Sequence, residues 1–187
     1  MSRRFPQLTQ DQLNAEQKPL ADQVMKVSSV GIGGPYNLLL RSPVLGQRMF
    51  DLFDYLRWKT SVETRLNEFA ILIIGRQWRS QMEWFAHAPI AIKAGLSADI
   101  IAELKANKRP SKMAEDEAVV YDFVTELTTT HKASDATFAR ARKVFSDQQI
   151  VDLTAVAGNY VMVAMILAMA EQSVPDGKEE PFRTGEA

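Results

Sequence analysis

The chain has 187 residues, 22 of them basic and 23 acidic, with a formal net charge of −1 at pH 7. That length suits one compact domain, and a balanced, scattered charge gives no electrostatic footprint for a nucleic-acid backbone. The absence of cysteine excludes disulfides, thiolate metal sites, iron–sulfur clusters and any cysteine nucleophile.

The first residues, Met1 to Gln7, lead into polar sequence without an apolar leader, so a cytoplasmic protein is expected. Asn14, with Gln17 three residues on, has the form of a cap for a first helix running to about Val27. The glycine-rich run from Ser28 to Pro35 ends it and lacks the strand and lysine of a nucleotide-binding loop. Residues 1–34 are expected to pack on the core as a helix and loop. Residues 35–175 form the helical domain, and the charged, apolar-poor stretch 176–187 is expected to be a mobile tail.

Pro43, after Ser42, suits the first turn of a helix that buries Leu45, Met49, Leu52, Phe53 and Leu56. Thr60 and Glu63 predict a capping box opening a helix through the apolar run 69–75, buried on all sides at the centre of the core. Ser80 and Glu83 predict another box, for a helix that ends before Gly95 in the usual glycine position. A short helix follows Ser97. After a connector at 107–112 come three more: about 115–130, one capped by Ser134, and one from Ser146, boxed by Gln149, to about Ala170. The last is long enough to raise the question of a membrane span. Its Asp152, Thr154, Asn159 and Tyr160 predict instead a buried core or interface helix, and no membrane partner is expected. Alternating strand patterns bounded by hairpin turns are missing, so the fold class is all-α, a bundle of about seven or eight helices.

The chemistry concentrates between Glu68 and His87. Glu83 and His87 stand four apart on one helix face, and Glu68 approaches from the preceding helix if the two pack side by side. A carboxylate beside an imidazole fixes its tautomer and makes a competent acid–base group without a cofactor. Arg76 and the helix N-terminus at Ser80 could hold a substrate carboxylate. Trp84, and Tyr36 just after the glycine loop, are candidate pocket walls. Each has a plainer reading. Glu83 stands where a capping-box glutamate belongs, Ser80 suits a cap better than a nucleophile, and His87 could be a buried core histidine. Arg76 could simply pair with a carboxylate to close a buried helix, and Trp84 could be a core or subunit contact. Glu68, inside an apolar run, needs a partner whichever reading holds. One histidine without ligand spacing gives no expectation of a metal.

Glu68, Ser80, Glu83 and His87 also have the spacing of the alkylhydroperoxidase D-like motif: Glu, eleven residues, Cys, two residues, Cys, three residues, His. Serine and glutamate replace the two cysteines. Glu83-Trp84-Phe85-Ala86-His87 resembles the carboxymuconolactone decarboxylase branch of that superfamily, which also lacks the redox pair. Ile92 to Ser97 and Gly158-Asn159-Tyr160-Val161 are similar as well, so the resemblance covers about residues 35–175. It implies an alkylhydroperoxidase D-like helical fold and a homo-oligomer, trimer or hexamer. It further implies a cofactor-independent lyase that decarboxylates a small carboxylated lactone or aromatic ring-cleavage product, with His87 as proton donor and Glu68 and Glu83 as its tuning partners. Two alternatives stay open: a peroxidase-related protein without thiol chemistry, and a non-catalytic oligomeric binding or scaffold protein.

Overall fold

The computed structural model describes residues 4–28 and 30–182. Among them are nine α-helices and no strand: α1 (Lys18–Val27), α2 (Pro35–Leu39), α3 (Pro43–Trp58), α4 (Thr64–Gln77), α5 (Gln81–Lys93), α6 (Ala98–Lys105), α7 (Glu115–Thr130), α8 (Asp135–Val144) and α9 (Asp147–Met169). The all-α class is as expected. The helix not foreseen is α2, a short element with Pro35 at its first position, entered through Gly34 at φ +58°.

Local chemistry explains many of the boundaries. Ahead of α1, the Gln17 amide donates to Asn14 Oδ1 and the Asn14 amide to Gln17 Oε1, each at 3.0 Å. Ser134 accepts from the Thr137 amide at α8. At α9 the Gln149 amide donates to Ser146 Oγ at 3.2 Å and the Ser146 amide to Gln149 Oε1 at 2.9 Å. Gly95, at φ +101°, closes α5 with a Schellman pattern in which the Leu96 amide reaches the Ala91 carbonyl at 2.9 Å, a left-handed position that glycine occupies without steric cost.

Two expected boxes do not form. At α4 the N-cap position is Glu63, and Thr60 turns its hydroxyl onto the backbone of Val62. At α5, Ser80 is the N-cap residue but its side chain makes no capping bond, because Glu83 is drawn into the interior instead of reaching back. Leu45 and Leu52 are exposed on the outer face of α3, whose inward residues are Gly46, Met49, Phe53 and Leu56.

The central helix is α4. Every residue from Leu66 to Arg76 is buried, and α5, α7 and α9 all pack on it. Burying each large side chain of this run, such as Phe69, Ile71, Leu72 or Ile74, stabilises the fold by roughly 1.5–3 kcal/mol. Arg65 ties the start of α4 to the start of α7 through Glu117 Oε1 at 2.6 Å and Asp116 Oδ2 at 2.5 Å. Although α9 is long and apolar enough to cross a membrane, 56% of its most apolar window is buried in the fold. Its Asp152 accepts hydrogen bonds from the Tyr55 hydroxyl and from Ser61, so it behaves as a core helix of this bundle.

The N-terminal segment packs through Leu13, Leu20, Ala21 and Val24 against Ile32 and Leu40. The expected mobile tail is anchored at Phe182. Phe182 is buried, meets Trp84 edge-on at 5.1 Å between centroids, and exchanges hydrogen bonds with the Gln81 side chain. An aromatic anchor thus outweighs its charged surroundings; the rest of that stretch, residues 183–187, lies outside the described residues.

Candidate functional site

Three helices bring the titratable groups together. On α4, Glu68 is 2% exposed; on α5, Glu83 is 3% and His87 is 7% exposed. Glu68 Oε2 lies 2.6 Å from His87 Nδ1, a short contact of the charge-assisted kind. On α9, Tyr160 meets the His87 ring edge-on at 5.1 Å and 90°. With Nδ1 turned to Glu68, Nε2 is the ring nitrogen left for the cavity that His87 lines.

That cavity has a volume of about 360 Å³, and its largely apolar walls include Phe53, Met82, Ile90, Val163 and Leu167. Its polar groups are Tyr36, Arg57, Glu83, His87 and Tyr160, and Val27, Ser28 and Val30 from the α1 end and glycine-rich loop lie at its edge. Neither Glu83 oxygen has a hydrogen-bond partner among the described residues. Burial pushes the Glu83 carboxyl up to about 8, the neighbouring Ser80 hydroxyl pulling weakly the other way. At neutral pH Glu83 is therefore mainly a carboxylic acid, able to donate a proton. Burial also holds the Tyr160 phenol protonated well above the ordinary tyrosine range, with Arg57, Glu68, Glu83 and Tyr36 all close enough to act on it. Burial raises Tyr36 too, against the opposing pull of the Arg57 guanidinium.

No protein-family model matches the sequence, and no curated protein matches it. A solved structure does: an uncharacterized peroxidase-related protein from Ralstonia eutropha JMP134 with an alkylhydroperoxidase AhpD core superposes with a TM-score of 0.77 over 92% of each chain, at 15% identity. The chain has the AhpD-core fold. Within this AhpD-core frame Ser80 and Glu83 stand at the N-cap and in the first turn of α5, and without cysteine no thiol reaction is available there.

Of the residues expected at the site, the AhpD-core fold brings Tyr36, Glu83 and His87 to one cavity, with Glu68 directly behind His87. Arg76, Ser80 and Trp84, expected to hold substrate, do not line it. The Arg76 guanidinium lies 5.4 Å over the Phe182 ring, on the side of α4 where Trp84 also packs. The Ser80 hydroxyl is buried without a hydrogen-bond partner among the described residues. No group of three metal-ligating side chains occurs among the described residues. Sequence reasoning missed Arg57, which comes from the end of α3. Its charge near the end of a helix looks like an ordinary complement to the helix dipole, and only tertiary packing turns it to the cavity. Tyr160, visible in the sequence as a polar residue in an apolar run and as part of the resemblance at 158–161, gives no sign there of its place beside His87.

Proposed function

We propose that this cavity runs a cofactor-independent proton-transfer reaction of the carboxymuconolactone decarboxylase type on a small, largely apolar carboxylated substrate. The observation that carries the proposal is Glu83: a buried carboxyl without a hydrogen-bond partner, one helical turn from the histidine that Glu68 clamps, on the wall of the same cavity. A buried carboxyl beside an oriented imidazole supplies the kind of pair that acid–base chemistry requires.

In a decarboxylation the bond between the substrate carbon and its carboxylate breaks and carbon dioxide leaves. The electron pair stays on the carbon, delocalised into the adjoining lactone or unsaturated system, until a proton arrives. Apolar walls favour this step, because they solvate a localised carboxylate poorly and disfavour the spread-out charge of the transition state less. Glu83 is the group with a proton to give. Its carboxylate would then sit in an apolar wall, and His87, oriented through Nδ1 by Glu68, can pass a solvent proton back to it through Nε2. The donor role that the resemblance implies for His87 thus moves to Glu83, with His87 as the relay.

The test is carbon dioxide release from 4-carboxymuconolactone by the purified chain, alongside His87→Ala and Glu83→Gln. Losing a positioned acid or base costs roughly 10²–10⁴-fold in rate, and each variant is expected to fall in that range. Full activity in His87→Ala on this or any identified substrate would sink the assignment. No release from the folded wild-type chain would remove this substrate and leave other small carboxylated compounds, a peroxidase-related protein without thiol chemistry and a binding or scaffold protein as the alternatives.

A further inference from the structure

Arg57 is the one cation among the described residues lining the cavity, and it has no carboxylate partner among the ion pairs of the described residues. Its Nε is buried without a hydrogen-bond partner among the described residues, and its Cζ lies 4.7 Å over the Trp58 ring. A guanidinium stacked on an indole is held in orientation, and with one donor spent on the Tyr36 hydroxyl it keeps further N–H groups for an acceptor in the cavity. Glu68 is committed to His87 Nδ1, and Glu83, which lines the same cavity, makes no hydrogen bond to Arg57 among the described residues. We infer that Arg57, steadied by Trp58 and flanked by the Tyr36 hydroxyl, is the seat for a carboxylate that the substrate keeps through the reaction.

The retained group follows from transition-state reasoning. A cation gripping the carboxylate that leaves would stabilise a charge the reaction must disperse, and so would hold the ground state down more than the transition state. A cation gripping a second carboxylate binds both equally and anchors the molecule, with its reacting carbon toward Glu83 and His87. The choice of which carboxylate is kept rests on the decarboxylase reading; the anion seat itself does not.

Binding of a non-reacting probe separates the two. Titration calorimetry at pH 7 would compare phenylacetate with its neutral isostere phenylacetamide, on the wild-type chain, Arg57→Gln and Arg57→Lys, with circular dichroism to show that each is folded. A charge-assisted contact predicts that wild type prefers the acid by about 10–100-fold. Arg57→Gln should lose that preference, and Arg57→Lys should recover part of it as a point charge without the fork. Equal affinities in wild type, no measurable binding of phenylacetate, or an unchanged preference in Arg57→Gln would each overturn the assignment. Failure of carbon dioxide release alone would not, since phenylacetate binding requires no turnover.

Discussion

Glu83→Gln should make the protein more stable at neutral pH, and the gain should depend on pH. In the unfolded chain the Glu83 carboxyl loses its proton near 4.5; folded, burial keeps the proton until about pH 8. Between those values the native state binds more protons than the unfolded one, so stability falls as pH rises through the window. The cost is about 1.4 kcal/mol per pH unit above 4.5, which amounts to roughly 3 kcal/mol at pH 7 and roughly 4 to 5 at pH 8. Glutamine has the shape and neutrality of the protonated acid and no titration. Urea unfolding of both proteins at intervals from pH 5 to pH 8 is the assay. The two should be close at pH 5 and diverge by roughly 3 kcal/mol at pH 7, with unchanged m-values. A difference that stays constant across that range would refute the neutral-acid description of Glu83 and the donor role built on it.

Other perturbations test the frame around the cavity. Leu72→Ala, at a fully buried position of α4, is expected to cost about 2–5 kcal/mol in chemical denaturation. Phe182→Ala should cost about 3 kcal/mol by the same measurement; a mobile tail would give no change. Ser146→Ala removes a formed cap and should cost about 1 kcal/mol, whereas Ser80→Ala removes none and should cost less in parallel melts. Val151, Met165 and Met169 leave an apolar stripe exposed along α9, from which self-association through that face is proposed. Sedimentation at micromolar concentration should then show a trimer or hexamer that Met165→Glu shifts toward monomer, and a clean wild-type monomer would end the idea.

What the sequence revealed and what it hid divides along the range of the interaction. The caps at Asn14, Ser134 and Ser146 were legible because donor and acceptor stand three residues apart and little else competes for them. Ser80 and Glu83 present the same local pattern, yet the box does not form, since the carboxyl packs into the interior between α4 and α5; nothing within four residues encodes that choice. Glu68 was legible as a buried carboxylate in need of a partner, and the motif spacing pointed to His87 as that partner. Arg57 and Phe182 were not legible, because each owes its place to a helix remote in sequence, α5 and α9 for the cavity wall and α4 and α5 for the tail anchor. The exposed Leu45 and Leu52 show the reverse error: an apolar series on α3 wider than the face that has something to pack on.

Glu68 follows directly from the core run it interrupts, sharing one turn of α4 with Phe69, Ile71 and Leu72. Sliding α4 by one residue to accommodate a bulkier core would swing the carboxylate about 100° around the helix axis and release His87. The site therefore cannot be moved to another scaffold as a loop or a pair of side chains. A designer would have to carry over α4 and α5 together with the packing that fixes their register, and any effort to stabilise this core by repacking would have to treat positions 66–76 as part of the cavity.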